Sequence, residues 1–261
     1  MNTEAVIDHI SQWLKSYIDN SPCKGFVVGV SGGIDSAVSS TLAARTGYPV
    51  LCLEMPIHQH ESQVSRAREH INFLEATYPN VSSVEVELTD TYETFRAALP
   101  NLEADQDNQM ALVNTRARIR MTTLYYFAAL QSALVVGTGN KVEDFGVGFY
   151  TKYGDGGVDL SPIADLVKTE VYALGAALGV NDAILQAAPT DGLWGDDRTD
   201  EDQIGASYPE LEWAMEFDGD ESGLSERQTE VLAIYRRLNR ANQHKMEPIP
   251  VCMIPAEVRG A

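Results

Sequence analysis

Residues 26 to 36 read Phe26-Val27-Val28-Gly29-Val30-Ser31-Gly32-Gly33-Ile34-Asp35-Ser36. The short unbroken apolar run predicts a strand buried on both faces. The paired glycines that follow predict a tight turn into a helix, since helical spacing resumes after Asp35. The same alternation spreads in both directions. Val6, Ile7, Ile10, Leu14 and Tyr17 keep the spacing of an amphipathic helix, and Val50-Leu51-Cys52-Leu53 reads as a second buried strand. Val64, Ala67, Ile71 and Leu74 give a further helix, and the alternation from Val84 to Leu88 suits a strand at or near a sheet edge. Met121 to Asn140 carries no charge, but its threonines, Gln131, Ser132 and glycines make it too polar to span a bilayer, so it predicts a long buried helix and a strand at Ala133 to Val136. Strands that alternate with helices specify the α/β class: a Rossmann-like parallel sheet flanked by helices on both faces. Tyr125, Tyr126 and Phe127 are expected in the core. Helices are expected near 166–178 and 225–242, the second opened by the capping box Ser225-Glu226-Arg227-Gln228. No repeat or low-complexity linker interrupts the chain, so residues 1–261 read as a single domain.

The glycine loop suggests anion chemistry. Glycines let backbone N–H groups approach an anion closely, and a helix N-terminus adds a favourable dipole. Ser31 and Ser36 can donate to phosphate oxygens, and Asp35 can hold a bridging cation. The loop lacks both the lysine of a Walker A sequence and the spacing of a dinucleotide fingerprint. Two rival readings stay open from the loop alone. One is a strand-to-helix turn with no ligand. The other takes Gly29-Val30-Ser31-Gly32-Gly33 as the G-x-S-x-G elbow of a serine hydrolase, with Ser31 the nucleophile and His244 late enough to complete a triad.

Composition narrows the partners. The chain has 19 Lys plus Arg against 38 Asp plus Glu, a formal charge of −19. That excludes the basic face needed to bind nucleic acid, and equally an electrostatic membrane anchor. Much of the acidity is local, because residues 191–226 hold 13 acids and one base, Arg198. Glu4 and Asp8 precede any apolar stretch, so no signal peptide is read. Three distant cysteines, Cys23, Cys52 and Cys252, read as reduced thiols of a cytoplasmic protein. His58, His60 and Glu61 lack the spacing of a metal motif.

Ser31-Gly32-Gly33-Ile34-Asp35-Ser36 resembles the S-G-G-x-D-S pyrophosphate loop of the ATP pyrophosphatases, whose members amidate or thiolate very different substrates. A second set of residues names one branch. It comprises Asn114 to Met121, Gly137-Thr138-Gly139-Asn140-Lys141-Val142-Glu143, Phe149-Tyr150-Thr151-Lys152-Tyr153-Gly154-Asp155-Gly156-Gly157-Val158-Asp159, Pro189-Thr190, Thr199-Asp200-Glu201 and His244-Lys245. In that order these resemble the ammonia-dependent NAD synthetases over most of the chain. The resemblance implies an adenine nucleotide alpha hydrolase-like fold and ATP-dependent amidation of deamido-NAD by ammonia through an adenylated intermediate. It also implies a homodimer with Mg²⁺ as cofactor.

By the same resemblance Gly29, Val30, Ser31, Gly32, Gly33, Ile34, Asp35 and Ser36 wrap the ATP phosphates, with Thr138, Lys168 and Thr190 completing that site. Asp35 and Glu143 would hold Mg²⁺, and Lys168 would neutralise departing pyrophosphate. Arg118, Lys152, Asp159, His244 and Lys245 would hold deamido-NAD, with Arg120 a weaker candidate than Arg118. Asp155 or Asp159 is the candidate to hold ammonium and accept its proton. Stretches near 57–63 and 190–207 are expected to close over the site. Two departures stand out: Glu54-Met55-Pro56 where many members read R-L-P, and Met246 where a second basic residue often follows His-Lys. The chain has no room for an N-terminal glutaminase and no Cys-centred triad, so free ammonia is the expected nitrogen donor.

Overall fold

The computed structural model describes residues 1–100, 106–190 and 199–259. Its centre is a parallel sheet in the order β3-β2-β1-β4, formed by β1 (Phe26–Gly29), β2 (Val50–Glu54), β3 (Val81–Glu85) and β4 (Leu134–Val136). Helices α1 (Thr3–Asp19), α2 (Ile34–Arg45), α3 (Glu61–Thr77) and, beyond β4, α6 (Lys168–Ala177) cover one face. Alternate residues of β2 show the division: Val50 and Cys52 belong to that core, whereas Leu51 and Leu53 face the opposite layer. The opposite layer is α4 (Thr89–Ala98) and α5 (Gln106–Gln131), contributing Tyr92 and Ala128. β1 is completely buried at Phe26, Val27 and Val28, as a run apolar on both sides requires.

Chain direction decides where a ligand can sit. From β1 the chain steps outward through β2 to β3, then returns through α4 and α5 to place β4 on the other side of β1. The carboxyl ends of β1 and β4 therefore form a switch point, where open α/β sheets leave a crevice.

Beyond β4 a π-helix spans Val142–Val147, followed later by α6, α7 (Asp182–Leu185), α8 (Asp200–Ile204), α9 (Tyr208–Glu216), α10 (Glu226–Met246) and α11 (Ala256–Arg259). The π-helix, α8, α9 and α10 bury a cluster of their own, including Val142, Val147, Ile204, Leu211 and Val231. The capping box expected at Ser225 is present, and α10 runs from Glu226 to Met246.

Some expectations need correction. Tyr17 is 47% exposed and Ile18 is the buried residue of that turn, because the burying stripe of α1 is Ile7, Ile10, Leu14 and Ile18. Tyr126 is 64% exposed, although Tyr125 and Phe127 pack against the core. The edge strand lies at 81–85 rather than 84–88. Past its end, Val86 N and Leu88 N still donate to Glu54 O and Pro56 O (2.8 and 3.0 Å), so the expected stretch does run alongside β2. Of the stretches expected to close over the site, 57–63 leads into α3, 200–204 is helical, and 191–198 lies outside the described residues. Among the described residues no helix is long and apolar enough to cross a membrane, and Cys23, Cys52 and Cys252 are free thiols.

Candidate active site

The glycine loop leaves β1 at the switch point and enters α2 at Ile34. Gly32 sits at φ 81°, where a Cβ would lie 2.5 Å from Gln63 O and 2.9 Å from Ala67 N of α3. Both the left-handed backbone and the close approach of a helix therefore require glycine. The loop is tied internally: Ser31 N donates to Ser36 Oγ (3.2 Å), Ser36 Oγ donates to Gly33 O (3.0 Å) and Gly33 N donates to Ser31 Oγ (3.3 Å). Ser31 Oγ meets Ser36 Oγ at 3.2 Å and, among the described residues, hydrogen-bonds no histidine, so the serine-hydrolase reading is not favoured. The amide end of α2 adds a positive dipole under the loop.

Three charges, one buried and two partly buried, converge beside it. Lys168, the first residue of α6, is 3% exposed; its Nζ lies 2.5 Å from Asp35 Oδ2 and 2.9 Å from Glu143 Oε1. Asp35 comes from the first turn of α2 and Glu143 from the π-helix. Asn140, fully buried, links them: its Nδ2 donates to Asp35 Oδ1 (3.1 Å), and its Oδ1 accepts from Val142 N and Glu143 N (3.1 Å each). Tyr208 of α9 donates its hydroxyl to Glu143 Oε1 (2.5 Å), and its ring centroid lies 4.8 Å from Lys168 Nζ. Burial opposes the charge on Lys168, but Asp35 and Glu143 outweigh it and hold the ammonium pKa above its usual value. Burial likewise opposes the charge on Glu143, yet Lys168 and the Tyr208 hydroxyl hold its pKa below the usual range.

The widened turn of the π-helix also aims the next residue inward, so Glu143 and Asp144 both face the same cavity. The Asp144 carboxyl packs where a Cβ on Gly139 would stand, 2.0 Å from Oδ2. Burial, with Glu143, Asp155 and Asp35 nearby, pushes Asp144 up to about 8. Asp155 accepts from Thr151 N (3.0 Å), and loss of hydration in the recess raises its pKa too.

The cavity measures about 600 Å³, within the range of small-ligand sites. Of the residues singled out from sequence, all of Gly29 to Ser36 line it, as do Thr138, Glu143, Asp155, Lys168, Thr190 and Lys245. Arg118, Lys152, Asp159 and His244 do not. Three of these form a rim near the end of α10: Arg118 Nε donates to Lys152 O (3.3 Å), and Lys152 Nζ donates to His244 O. Lys245 joins the rim to the cavity, with Nζ donating to Gly148 O and Tyr150 O at 2.8 Å each. Burial and then Arg118 lower its pKa against the pull of Asp155. The Asp159 carboxylate accepts from Val135 N (2.8 Å) and Tyr125 hydroxyl (3.0 Å), whereas Asp155 lines the cavity.

Arg120, ranked below Arg118 from sequence, is the one at the cavity wall. Its Nε donates to Met55 O (2.9 Å) and its Nη2 to Gln59 Oε1 (2.8 Å), and burial lowers its pKa to about 10. Glu54 also borders the cavity, with its charge met by Arg68 Nε at 3.3 Å. His58 pairs with Glu93 Oε1 (2.8 Å), and His60 caps α3 by accepting from Ser62 N, so both have structural duties. Asn140, Asp144 and Tyr208 were not foreseen as site residues. Asn140 and Glu143 lie in one quoted motif, which could have flagged the first. Nothing in the spacing around Tyr208 marks it.

With that geometry in place, comparison with known proteins gives a consistent result. A family model described as NAD synthase matches residues 6–248. The chain is 36% identical to the NH(3)-dependent NAD(+) synthetase of Carboxydothermus hydrogenoformans, over 94% of this chain and 96% of that one. It is 35% identical to the NH(3)-dependent NAD(+) synthetase of Syntrophomonas wolfei over 100% of each. Among solved structures it resembles an NMN synthetase from Francisella tularensis, with TM-score 0.84, 31% identity and coverage of 98% and 99% of the two chains. It also resembles an NH3-dependent NAD synthetase from Campylobacter jejuni, with TM-score 0.77, 26% identity and coverage of 97% and 100%.

Proposed function

The chain belongs to the NAD synthase family and catalyses the ATP-dependent amidation of deamido-NAD to NAD, and from that premise we propose how its own residues divide the work. The observation that carries the assignment of roles is the Lys168–Asp35–Glu143 cluster set against a glycine loop at one cavity wall.

A carboxylate resists amidation because its charge repels nucleophiles and oxide is a poor leaving group. The substrate carboxylate therefore attacks the α-phosphorus of ATP and pyrophosphate departs, giving an acyl adenylate. The amides of Gly29 to Ser36, the Ser31 and Ser36 hydroxyls and the amide end of α2 hold the departing pyrophosphate, and Lys168 neutralises it. Thr138 and Thr190 complete the ATP site, and Arg120 braces the turn after β2 through Met55 O. Ammonia then attacks the acyl carbon, its proton passes to Asp155, and AMP leaves with its bonding electrons. Arg118, Lys152, His244 and Lys245 form the basic rim that meets the phosphates of deamido-NAD. No side chain forms a covalent bond; positioning and charge stabilisation carry the reaction.

Asp35 and Glu143 fit a magnesium ion on the chemistry of their donors. The reading is supported by two hard carboxylates that converge on the Lys168 ammonium, and Mg²⁺ is commonly held by one or two carboxylates plus phosphate oxygens. When bound there, the ion supplies charge neutralisation at the phosphates. We further infer a homodimer and a cytoplasmic location, the second supported by three free thiols. A single-domain chain that uses free ammonia completes the reading.

The direct test is pyrophosphate release from ATP and Mg²⁺ with ammonium, with and without deamido-NAD; release that ignores deamido-NAD refutes the function. One observation favours a second acceptor, nicotinic acid mononucleotide. The Francisella tularensis structure that matches with TM-score 0.84 is an NMN synthetase, and the same chemistry would amidate a mononucleotide. Of the proposed dinucleotide-holding residues that line the rim, only Lys245 reaches the cavity. The ratio of kcat/KM for the two acceptors decides between them.

A further inference from the structure

Three of the four carboxylate oxygens of the metal-holding pair are already engaged. Asp35 Oδ1 accepts from Asn140 and Oδ2 from Lys168, while Glu143 Oε1 accepts from both Lys168 and Tyr208. Lys168 Nζ thus stands 2.5 and 2.9 Å from the two oxygens that face each other. A magnesium ion bonds such oxygens at about 2.0–2.1 Å. An ion bridging them would therefore need the space that Nζ fills, and the two cations would compete for the same charge.

We propose that Lys168 is the built-in counter-ion of the metal position, and that a divalent cation must displace its ammonium group before Lys168 can serve the leaving pyrophosphate. The inference rests on the reading that Asp35 and Glu143 hold the metal. Three features support displacement rather than sharing. Two carboxylates only 17% and 16% exposed, meeting at one point, need a cation between them. Lys168 carries its charge on a flexible four-carbon stem and already borders the cavity beside the glycine loop. Tyr208 and Asn140 hold Glu143 and Asp35 by bonds independent of Nζ, so the pair keeps its geometry when Nζ leaves. ATP then gives the displaced ammonium a new partner in its phosphates. Metal and nucleotide should consequently bind with mutual reinforcement, each raising the affinity for the other by the same factor.

Lys168→Met keeps the stem and removes the charge, so it tests the idea without turnover. Mn²⁺ binding is measured by the loss of the free-ion paramagnetic resonance signal, with and without α,β-methylene-ATP, after subtraction of the loss the nucleotide causes in the absence of protein. The wild-type protein should bind Mn²⁺ weakly alone and about tenfold or more tightly with the nucleotide. Lys168→Met should bind Mn²⁺ about tenfold more tightly than wild type with no nucleotide, and the reinforcement should shrink. Lys168→Met that binds Mn²⁺ no better than wild type overturns the proposal. If the bare carboxylate pair destabilises that variant, Lys168→Gln and the Mg²⁺-induced rise in melting temperature give the same reading; a rise no larger than in wild type also overturns it. Asp35→Asn combined with Lys168→Met should lose the gain, and a gain that persists refutes the assignment to this pair. Wild-type pyrophosphate release that depends on deamido-NAD, together with no gain in Lys168→Met, rejects this inference and leaves the function standing. Absence of that release rejects the function, while the Mn²⁺ titration still judges the exchange.

Discussion

Gly32→Ala would set the pyrophosphate loop against α3. The native φ of 81° costs an alanine about 1–2 kcal/mol, because a Cβ crowds the following carbonyl in the left-handed region. The new methyl would also stand 2.5 Å from Gln63 O and 2.9 Å from Ala67 N, both backbone atoms that no rotamer change can move. Relief requires the loop to retreat by roughly 1 Å, and a displacement of that size at a positioning element costs about 100-fold in rate. Overpacking adds about 1–3 kcal/mol. Melting should therefore fall by about 5–15 °C. Gly47→Ala separates the two causes, since Gly47 has φ 79°, nothing within 4 Å of where its methyl would stand, and no part in the cavity lining. It should lose only the backbone component, about 1–2 kcal/mol, and keep its activity. The assays are thermal melts and pyrophosphate release under saturating deamido-NAD. Gly32→Ala that melts with Gly47→Ala and keeps kcat/KM for ATP within about threefold of wild type would refute the argument that α3 fixes the loop.

Other consequences are as specific. His70 is 1% exposed, and burial lowers its pKa from 6.5 to about 4, so the unfolded chain binds its proton first as pH falls. Stability attached to this group is full above pH 6.5 and drains as pH drops towards 4, by about 2 kcal/mol at pH 5; urea melts of His70→Leu should lack that slope, and an unchanged slope rejects it. Tyr208→Phe keeps the ring over Lys168 but removes the bond to Glu143, worth about 1.5–3 kcal/mol for a charged acceptor. Its activity should fall about tenfold or more with the Mg²⁺ requirement shifted upward, and wild-type Mg²⁺ dependence would count against that role. Arg120→Met removes the bonds to Met55 O and Gln59 Oε1 and should raise KM for ATP more than it lowers kcat, whereas Arg118→Met should act on KM for deamido-NAD; the opposite pattern would exchange their assignments.

The sheet was legible because its central strands are continuous apolar runs whose burial on both faces leaves no other reading, as Phe26 to Val28 illustrate. The loop that follows was legible because glycine at a positive φ cannot be replaced by other residues without strain. Faces turned partly outward were harder. Tyr17 and Tyr126 have the hydrophobicity of core residues, but a helix buries only one stripe, and neighbouring Ile18 and Phe127 take the inward positions. The edge strand began three residues early because Val81, Ser82 and Ser83 do not alternate, and its pairing with β2 rather than its own pattern sets its register. The π-helix was invisible to any search for a 3.6-residue period. Asp144 went unnoticed with it, since the widened turn is what brings two consecutive acids to one cavity. Tyr208 is recognisable only once α9 is folded against the π-helix.

Glu143 and Tyr208 are anchored in the cluster formed by the π-helix and α8 to α10, whereas Asp35 is anchored beside the sheet. The gap between the two carboxylates is thus set by how one packed body abuts another, with Lys168 and Asn140 as the straps across the seam. Substitutions deep in the second body, such as Leu211→Ala, would then behave like a change of focus in a two-lens instrument. The protein would keep both lenses at the assay temperature, and its catalytic rate would record their separation beside the cost of about 2–5 kcal/mol that truncating a fully buried leucine imposes on the fold.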